Sequence, residues 1–477
     1  MQMISLAFFA FAASVFAAVY MCNLLVKTEV NKVKATKWIL LGSSYLFVAY
    51  ADYRFAMVLA VLTVAVWLCA QKEHYIKYGV IAALAALGFF KYTNFFAESF
   101  ARLLHKEEYV SLNVILPLGI SFYTFSAISY LIDVKRKKTD ARSLLDVALY
   151  LSFFPKITSG PIQKSKDFFE QIDVPRCVGA ESLTCGIQIF CFGLFKKLVL
   201  ADRLSVFVGQ VFDTPSAFDS LTVVLAVFAY SFQIYFDFSG YSDMAIGAAR
   251  ILDIHLPRNF NLPYLSQNVT EFWKRWHITL SSWLQEYLYI SLGGNRKGVT
   301  RTYVNLILTM ILGGIWHGPK WTYVIWGLLH GLALAAHKIW MKYTGSAEKC
   351  HSPLSTALST VMTFLFTSFC WVFFRADSIE KAAEIIRQIF RFSDGICQPY
   401  VWLFFAAAVL TAGSVAAMIT TGVRKQEGKK KNQCCVNGFY PILDLTKFWQ
   451  LVLFFVFCGL IIGLAYTGGS PFIYGEY

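Results

Sequence analysis

Apolar residues fill long blocks of this chain, and polar residues are confined to short stretches between the blocks. The blocks cover approximately residues 4–26, 38–50, 55–70, 79–100, 114–132, 144–162, 183–200, 221–238, 303–316, 321–341, 354–374, 401–422 and 448–466. A helix needs about 20 mostly apolar residues to cross a bilayer, so 38–50 and 303–316 are short and would tilt, re-enter or join a neighbour. The pattern predicts an all-α polytopic membrane protein with about ten to thirteen membrane helices.

The stretch 240–300 differs from these blocks because it is richer in polar and charged residues and also carries several tryptophans and tyrosines. Between Thr270 and Leu292 the apolar side chains recur at helical spacing, at Phe272, Trp276, Leu280, Trp283, Tyr287 and Ile290. This spacing predicts an amphipathic helix that lies in the membrane interface or packs under the bundle. Thr270 is its predicted N-cap.

Two apolar blocks contain residues that disfavour a regular helix. Glycines and a proline surround His317, at Gly313, Gly314, Gly318 and Pro319. Pro155 and the pair Gly160-Pro161 interrupt the block 144–162. Irregular backbone at membrane depth persists only where it is buried in protein or lines a water-filled cavity. Both stretches are therefore predicted to be re-entrant or to line a cavity.

Composition supports the membrane assignment. The chain of 477 residues is 57% hydrophobic and 15% charged, whereas soluble domains carry roughly 25% charged residues. Its 11 cysteines are scattered, with no Cys-x-x-Cys pair and no Cys/His group at zinc-like spacing, so no metal site is predicted. We predict one integral membrane domain over 1–477, with further membrane helices in 345–477, located in the plasma membrane.

The net charge of +14 reflects topology rather than nucleic-acid binding. The cations lie in short loops between apolar blocks, as expected for the cytoplasmic loops of a membrane protein. Three basic clusters, within 27–37, 135–142 and 424–431, can all be cytoplasmic. This arrangement requires the second and third apolar blocks to form a hairpin that turns outside the cell at Tyr50–Arg54.

His317 is the strongest candidate for chemistry. An ionisable side chain is costly inside a membrane segment and usually faces a cavity where it functions. A neutral imidazole can accept the proton of a hydroxyl group at physiological pH. The alternative is a core histidine that is hydrogen-bonded between helices.

His277, beside Trp276 on the predicted amphipathic helix, is the second candidate. It would orient the first imidazole or the substrate. As an interfacial residue that follows two basic residues, it could instead be solvated.

His330 and Asp237 are weaker candidates. His330 lies between Gly327 and Gly331, which suggest close helix packing, so His330 would pack or support the site rather than react. Asp237 lies at the end of an apolar block, where it would anchor a bend at Gly240 or relay protons.

Seven short blocks resemble the membrane-bound O-acyltransferase family. They are Leu116–Phe125, Gly160–Ile162, Asp237–Asp243, Arg258–Asn261, Phe272–His277, Leu292–Gly298 and Trp316–Gly318. They lie in the family's order over about 115–335, which would form the catalytic core. The resemblance is to a bacterial branch that includes alginate and peptidoglycan O-acetylation proteins and the teichoic-acid D-alanyl transfer protein.

The resemblance implies a bundle of membrane helices, with amphipathic and re-entrant segments, around a tunnel. It implies that His317 is the catalytic histidine and that His277 is its supporting polar residue. The residues expected to line the tunnel are Trp316, Trp276, Asn268, Trp283, His330 and Asp237. An acyl thioester, acetyl-CoA or an acyl carrier, would enter from the cytoplasm and the acceptor from outside.

These expectations define an O-acyltransferase that moves an acyl group, with acetyl expected, across the membrane for O-acetylation of a cell-surface polysaccharide. No tightly bound cofactor is expected. An extracytoplasmic esterase-like acetyltransferase is the expected partner, because this chain lacks such a domain. The alternatives are D-alanyl transfer to teichoic acids and, from another class, a proton-coupled transporter. Transporters often carry paired broken helices, whereas this sequence shows one broken segment with a histidine and no counterpart.

Overall fold

The computed structural model describes residues 3–104, 112, 114–176, 178–345, 352–400, 402–409, 413, 442–468 and 472–473. Its α-helices are Leu6–Leu25, Glu29–Ala51, Tyr53–Ala70, Ile76–Leu103, Ile120–Lys135, Leu144–Ser152, Ser165–Ile172, Ala180–Leu194, Asp202–Asp213, Ser220–Ile251, Val269–Arg275, Ile278–Trp283, Val299–His317, Trp321–Thr344, Pro353–Arg375, Ile379–Arg391 and Phe448–Leu464. Two π-helical turns cover Phe195–Ala201 and Leu284–Tyr289. The prediction of an all-α polytopic membrane protein is confirmed.

Within the described ranges, eight helices are long and apolar enough to cross a membrane. They are Leu6–Leu25, Tyr53–Ala70, Glu73–Ala101, Ala180–Asp213, Ser220–Ile251, Val299–His317, Trp321–Thr344 and Pro353–Arg375. The short block 38–50 belongs to a helix of 23 residues, and 303–316 belongs to one of 19 residues, so both join neighbouring residues. The basic cluster 424–431 and most of the block 401–422 lie outside the described residues.

The chain divides into two compact units. The first comprises Met1–Phe192 and Ser242–Pro257, and the second comprises Gly193–Tyr241 and Arg258–Tyr477. Every side chain predicted to serve the site belongs to the second unit. The boundary between the units falls inside the predicted core 115–335, whereas 345–477 belongs to the second unit. Both divisions stay predictions from the sequence.

In the first unit, two of the basic clusters meet on one carboxylate. Lys37 Nζ lies 2.7 Å from both Asp146 Oδ1 and Asp173 Oδ1. Arg142 Nη1 lies 2.7 Å from Asp173 Oδ2. Burial alone would raise the pKa of Asp173, but the hydrogen bonds from Lys37 and Arg142 outweigh it and lower the pKa. The shared partner agrees with the prediction that these clusters lie on the same side of the membrane.

The predicted interruption of the block 144–162 is also present in the first unit. The helix Leu144–Ser152 ends before Pro155, and the chain is irregular and largely buried until Ser165. Gly119, with φ of +74°, closes against this segment, because a Cβ there would lie 2.2 Å from the Ile157 carbonyl oxygen. Burial in protein is the condition under which such backbone persists in a membrane protein.

In the second unit, the His317 helix (Val299–His317) and the His330 helix (Trp321–Thr344) pack at close range through glycines. A Cβ added to Gly314 would lie 2.2 Å from the Tyr323 carbonyl oxygen. One added to Gly327 would lie 2.4 Å from a carbonyl oxygen of the opposite helix. Small residues allow this approach between membrane helices, so the predicted close packing at Gly327 is confirmed.

The prediction of irregular backbone before His317 is wrong. Gly313 and Gly314 lie inside a regular helix that ends only at His317. Gly314 serves the approach of the next helix, and a Cβ at Gly313 would lie 3.3 Å from the Leu284 side chain, so neither glycine breaks its own helix. Gly240 corrects a second prediction, because Ser220–Ile251 is continuous through it and a Cβ there would lie 2.8 Å from the Gly193 carbonyl oxygen.

The prediction of one continuous amphipathic helix over 270–292 is wrong. The broken segment (Val269–Tyr289) consists of two short helices and a π-helical turn, and its break is at His277, whose φ is +42°. Asn268, not Thr270, is the N-cap, and its side chain accepts a hydrogen bond from the Glu271 amide. The break is held from outside the segment, because the Ile278 amide donates to the Asn259 carbonyl oxygen at 2.8 Å.

Candidate active site

His317 is the last residue of its helix, and its side chain is buried among aromatic rings. Its ring centroid lies 4.9 Å from that of Trp316, 5.2 Å from that of Trp326 and 5.2 Å from that of Phe374. The Trp326 and Phe374 rings meet the imidazole at steep angles, 88° and 73°. Such an apolar wall keeps the local dielectric low, which strengthens any charge interaction made there.

His277 is fully buried and is anchored through one ring nitrogen. Its Nδ1 lies 3.0 Å from Asn259 Oδ1, which also accepts from the Thr279 amide and from Thr279 Oγ1. An oxygen that accepts from a backbone amide must be an acceptor for His277 too, so Nδ1 carries the proton. Burial lowers the pKa of His277 to about 3, so the imidazole is neutral at physiological pH and Nε2 carries its lone pair.

Trp316 connects the two candidate histidines. Its ring centroid is 4.9 Å from that of His317 and 6.4 Å from that of His277. On its other side His277 meets the edge of Phe238 at 4.6 Å and 86°. The helix end at His317 and the backbone break at His277 therefore bring their imidazoles to one aromatic surface.

His330 extends this surface along its own helix. The indole Nε1 of Trp273 donates to His330 Nδ1 at 3.3 Å, and the two rings meet at 83°. The His330 centroid lies 5.0 Å from that of Trp326, which contacts His317. His330 therefore packs against Trp273 and Trp326. Its role in the reaction stays a prediction.

We call this group the imidazole cluster and define it as His277, His317 and His330 with the rings of Trp273, Trp316, Trp326 and Phe374. Trp276 reaches it indirectly, through a centroid distance of 4.9 Å to Trp371, whose ring stacks on Trp326 at 5.8 Å. The Trp371 indole N–H is already bonded, since it donates to the Tyr264 hydroxyl at 3.1 Å. Trp371 and Trp276 therefore form a floor of packed rings.

Asp237 belongs to a different group, the ion cluster of Lys197, Asp202 and Asp237. Lys197 Nζ lies 2.6 Å from Asp237 Oδ1 and 2.8 Å from Asp202 Oδ1, and all three side chains are buried. The second oxygen of Asp237 accepts from the Ile473 amide at 2.9 Å. Of the two roles predicted for Asp237, these contacts favour anchoring, although what it anchors is a lysine and not a bend.

Two other predicted tunnel residues have local contacts of their own. Asn268 caps the first helix of the broken segment and lines an open pocket of about 380 Å³, together with His337 and Phe366. Trp283 packs on Tyr287 at a centroid distance of 5.5 Å. Their place in an acyl tunnel stays a prediction.

Sequence reasoning missed Asn259, Trp326 and Phe374 as site residues. Asn259 lies in one of the blocks that carry the family resemblance, and this was the available signal. Trp326 and Phe374 look like ordinary apolar residues of membrane helices, and only the packing of three helices shows their contact with His317. Within the described residues, no group of three or more His, Cys, Asp or Glu side chains is placed to hold a metal ion.

The fold and the site together define a polytopic α-helical membrane protein with three histidines buried among aromatic rings. The sequence profile of the membrane-bound O-acyltransferase family matches residues 68–375. The chain belongs to this family, and it is a multi-pass membrane acyltransferase.

Three relatives show where the chain lies within the family. It is 41% identical over 345 residues to the peptidoglycan O-acetyltransferase of Helicobacter pylori, covering 67% of this chain and 65% of that protein. It is 36% identical over 472 residues to the probable alginate O-acetylase AlgI of Pseudomonas putida, covering 92% and 94%. It is 30% identical over 275 residues to the teichoic acid D-alanyltransferase of Bacillus subtilis, covering 55% and 69%.

Proposed function

We propose that this protein moves acetyl groups across the membrane for the O-acetylation of a cell-surface polysaccharide, with His317 as the general base. The observation that carries the proposal is the burial of His317 in the imidazole cluster at the end of its helix. The relatives with the higher identities, 36% and 41%, are named for O-acetylation of alginate and of peptidoglycan. The D-alanyltransferase is less similar and covers about half of the chain.

The proposed reaction transfers the acyl group from a thioester to a hydroxyl. The acceptor oxygen attacks the thioester carbonyl carbon while His317 takes the hydroxyl proton, and the carbonyl electrons move onto the oxygen. When the carbonyl re-forms, the C–S bond breaks and His317 returns the proton to the leaving sulfur. The products are an ester and a thiol, and the steps balance without a metal or a tightly bound cofactor. General-base catalysis of this kind contributes about 10²–10⁴-fold to a rate.

His277 would position the acceptor. With its proton fixed on Nδ1 by Asn259, its Nε2 lone pair can accept a hydrogen bond from a hydroxyl group. Its low pKa keeps that lone pair available over the whole physiological range. The fixed tautomer makes His277 an orienting acceptor beside His317, with Trp316 between them.

The partners follow from the chemistry. The donor would be acetyl-CoA or an acyl carrier reaching the site from the cytoplasm. The final transfer to the polysaccharide would be made by an extracytoplasmic esterase-like acetyltransferase. The bilayer is the third partner of a multi-pass protein.

The test is the ester content of the surface glycan in cells that carry wild type, His317→Ala or His277→Ala at matched protein levels. Esters are released with mild base, and the acid is identified. We expect acetate from wild type and its loss from His317→Ala, with a smaller loss from His277→Ala. If D-alanine is released instead of acetate, the transferred group is D-alanyl and the acetyl proposal is refuted. Unchanged esters in His317→Ala would refute the proposed role of His317.

A further inference from the structure

Two N–H groups beside His317 are buried without an acceptor. Trp326 and His330 are 1% and 0% exposed. In the described part of the chain, neither Trp326 Nε1 nor His330 Nε2 has a hydrogen-bond partner. Leaving a buried donor unsatisfied costs about 1–3 kcal/mol. Two such donors in one cluster are a cost that the fold alone does not explain.

The tautomer of His330 follows from its neighbour. Trp273 Nε1 is a donor only, and it points at His330 Nδ1 from 3.3 Å, so Nδ1 must offer its lone pair. A neutral imidazole then carries its proton on Nε2. His330 is therefore a second N–H donor, and Trp273 fixes it in that form.

Both donors belong to rings packed around the proposed base. Trp326 contacts His317 at a centroid distance of 5.2 Å, and His330 contacts Trp326 at 5.0 Å. By contrast, the nearby indole of Trp371 has its N–H bonded to Tyr264. One orphaned donor therefore lies on a ring that contacts His317, and the other lies one ring further along the same cluster.

We propose that Trp326 Nε1 and His330 Nε2 donate hydrogen bonds to the carbonyl oxygen of the bound acyl thioester and stabilise its negative charge in the transition state. This inference rests on the proposed function. When the acceptor oxygen attacks, the carbonyl electron pair moves to that oxygen, and the two N–H groups hold the charge until the C–S bond breaks. Fixed donors in a site that excludes water are effective for such charge, because they need no reorganisation.

The test is the steady-state rate of acetate ester formation by the full-length protein in native membrane vesicles, with acetyl-CoA as the donor. Trp326→Phe removes one N–H and keeps most of the ring. His330→Asn keeps an oxygen acceptor for Trp273 but loses the Nε2 donor. His330→Gln can place an amide N–H near the Nε2 position. Loss of one such donor costs about 10²–10³-fold in kcat, so we expect this loss in Trp326→Phe and His330→Asn, with KM for acetyl-CoA little changed.

Three comparisons keep the test decisive. His330→Gln should recover most of the kcat lost in His330→Asn at an equal unfolding temperature, which a packing role would not produce. Trp371→Phe removes a bonded indole N–H from the same core and should leave kcat near that of wild type. If His317→Gln is inactive while Trp326→Phe and His330→Asn keep wild-type kcat, the donor pair alone is refuted. If His317→Gln is fully active, the proposed function falls and the donor pair with it.

Discussion

The second unit contains two buried polar groups that solve the problem of burial in opposite ways. In the ion cluster, Lys197 binds Asp202 and Asp237, and a backbone amide satisfies the remaining oxygen of Asp237. In the imidazole cluster, His330 and Trp326 keep N–H groups without an acceptor among the described residues. Ions that pair with one another are explained by the fold, whereas two buried donors without an acceptor among the described residues call for a ligand.

The difference has an energetic basis. Burying a charge is costly unless it is paired, so the ion cluster is stable only as a complete set. Neutral imidazoles avoid that cost and can remain partly unsatisfied for a smaller penalty. The ion cluster therefore links the segments that carry Lys197 and Asp237, whereas under the proposed function the imidazole cluster serves proton transfer.

The largest expected effect is on activity, from His317→Gln. Loss of the general base should lower the rate of ester formation by about 10²–10⁴-fold. The unfolding temperature should stay near that of wild type, because glutamine keeps polarity and much of the volume at the helix end. The pair of measurements, rate and melting in the same detergent, separates catalysis from folding.

Lys197→Met is expected to lower stability. Removing the cation leaves two buried carboxylates without their partner, which should lower the free energy of unfolding by about 3–5 kcal/mol. Denaturant titration of the purified protein measures it. Lys381→Met is the matched control, because the Lys381–Glu384 pair is partly exposed and should contribute less than about 1 kcal/mol. Equal effects of the two variants would contradict the account of the ion cluster.

A smaller effect is expected where the two helices that carry His317 and His330 touch. Gly314→Ala places a Cβ against the Tyr323 carbonyl oxygen, and overpacking of this kind costs about 1–3 kcal/mol. The helix end should shift, so activity should fall as well. Gly209→Ala is the control, since nothing lies within 4 Å of a Cβ at that helical position, and it should gain about 0.5–1 kcal/mol.

The last expected effect is a pH dependence from His277. Its pKa is about 3 in the folded protein, against about 6.5 in an unfolded chain. The unfolded state therefore binds more protons than the folded state between these two pKa values. The contribution of His277 to the free energy of unfolding is complete above about pH 6.5 and is lost as the pH falls towards 3. The loss is at most about 1.4 kcal/mol per pH unit. The stability advantage of wild type over His277→Gln should shrink between about pH 7 and about pH 4.5 in denaturant titrations. An advantage that does not change with pH would show that His277 is not buried as described.

The sequence predicted the class of fold, because apolar blocks are local signals. Motif residues singled out His277 and His317, which the structure brings to one ring, Trp316, and their catalytic roles stay predictions. The sequence did not predict the break at His277, because the apolar periodicity over 270–292 is continuous. The break is held by Asn259, which lies 18 residues earlier in the chain. The partner of Asp237 was equally hidden, because Lys197 lies 40 residues earlier in an apolar helix. The glycines before His317 allow close packing and do not break the helix. The sequence could not distinguish these two roles, because the difference depends on the neighbouring elements.

The central claim is that the imidazole cluster carries the reaction and the ion cluster carries the fold. The most direct test is the rate of ester formation per folded molecule, measured side by side for wild type, His317→Gln and Asp202→Asn, with the folded fraction counted in each preparation. We predict that His317→Gln is folded and inactive, and that Asp202→Asn is less stable but as active per folded molecule as wild type. A folded, active His317→Gln, or an Asp202→Asn that is stable and inactive, would contradict the claim.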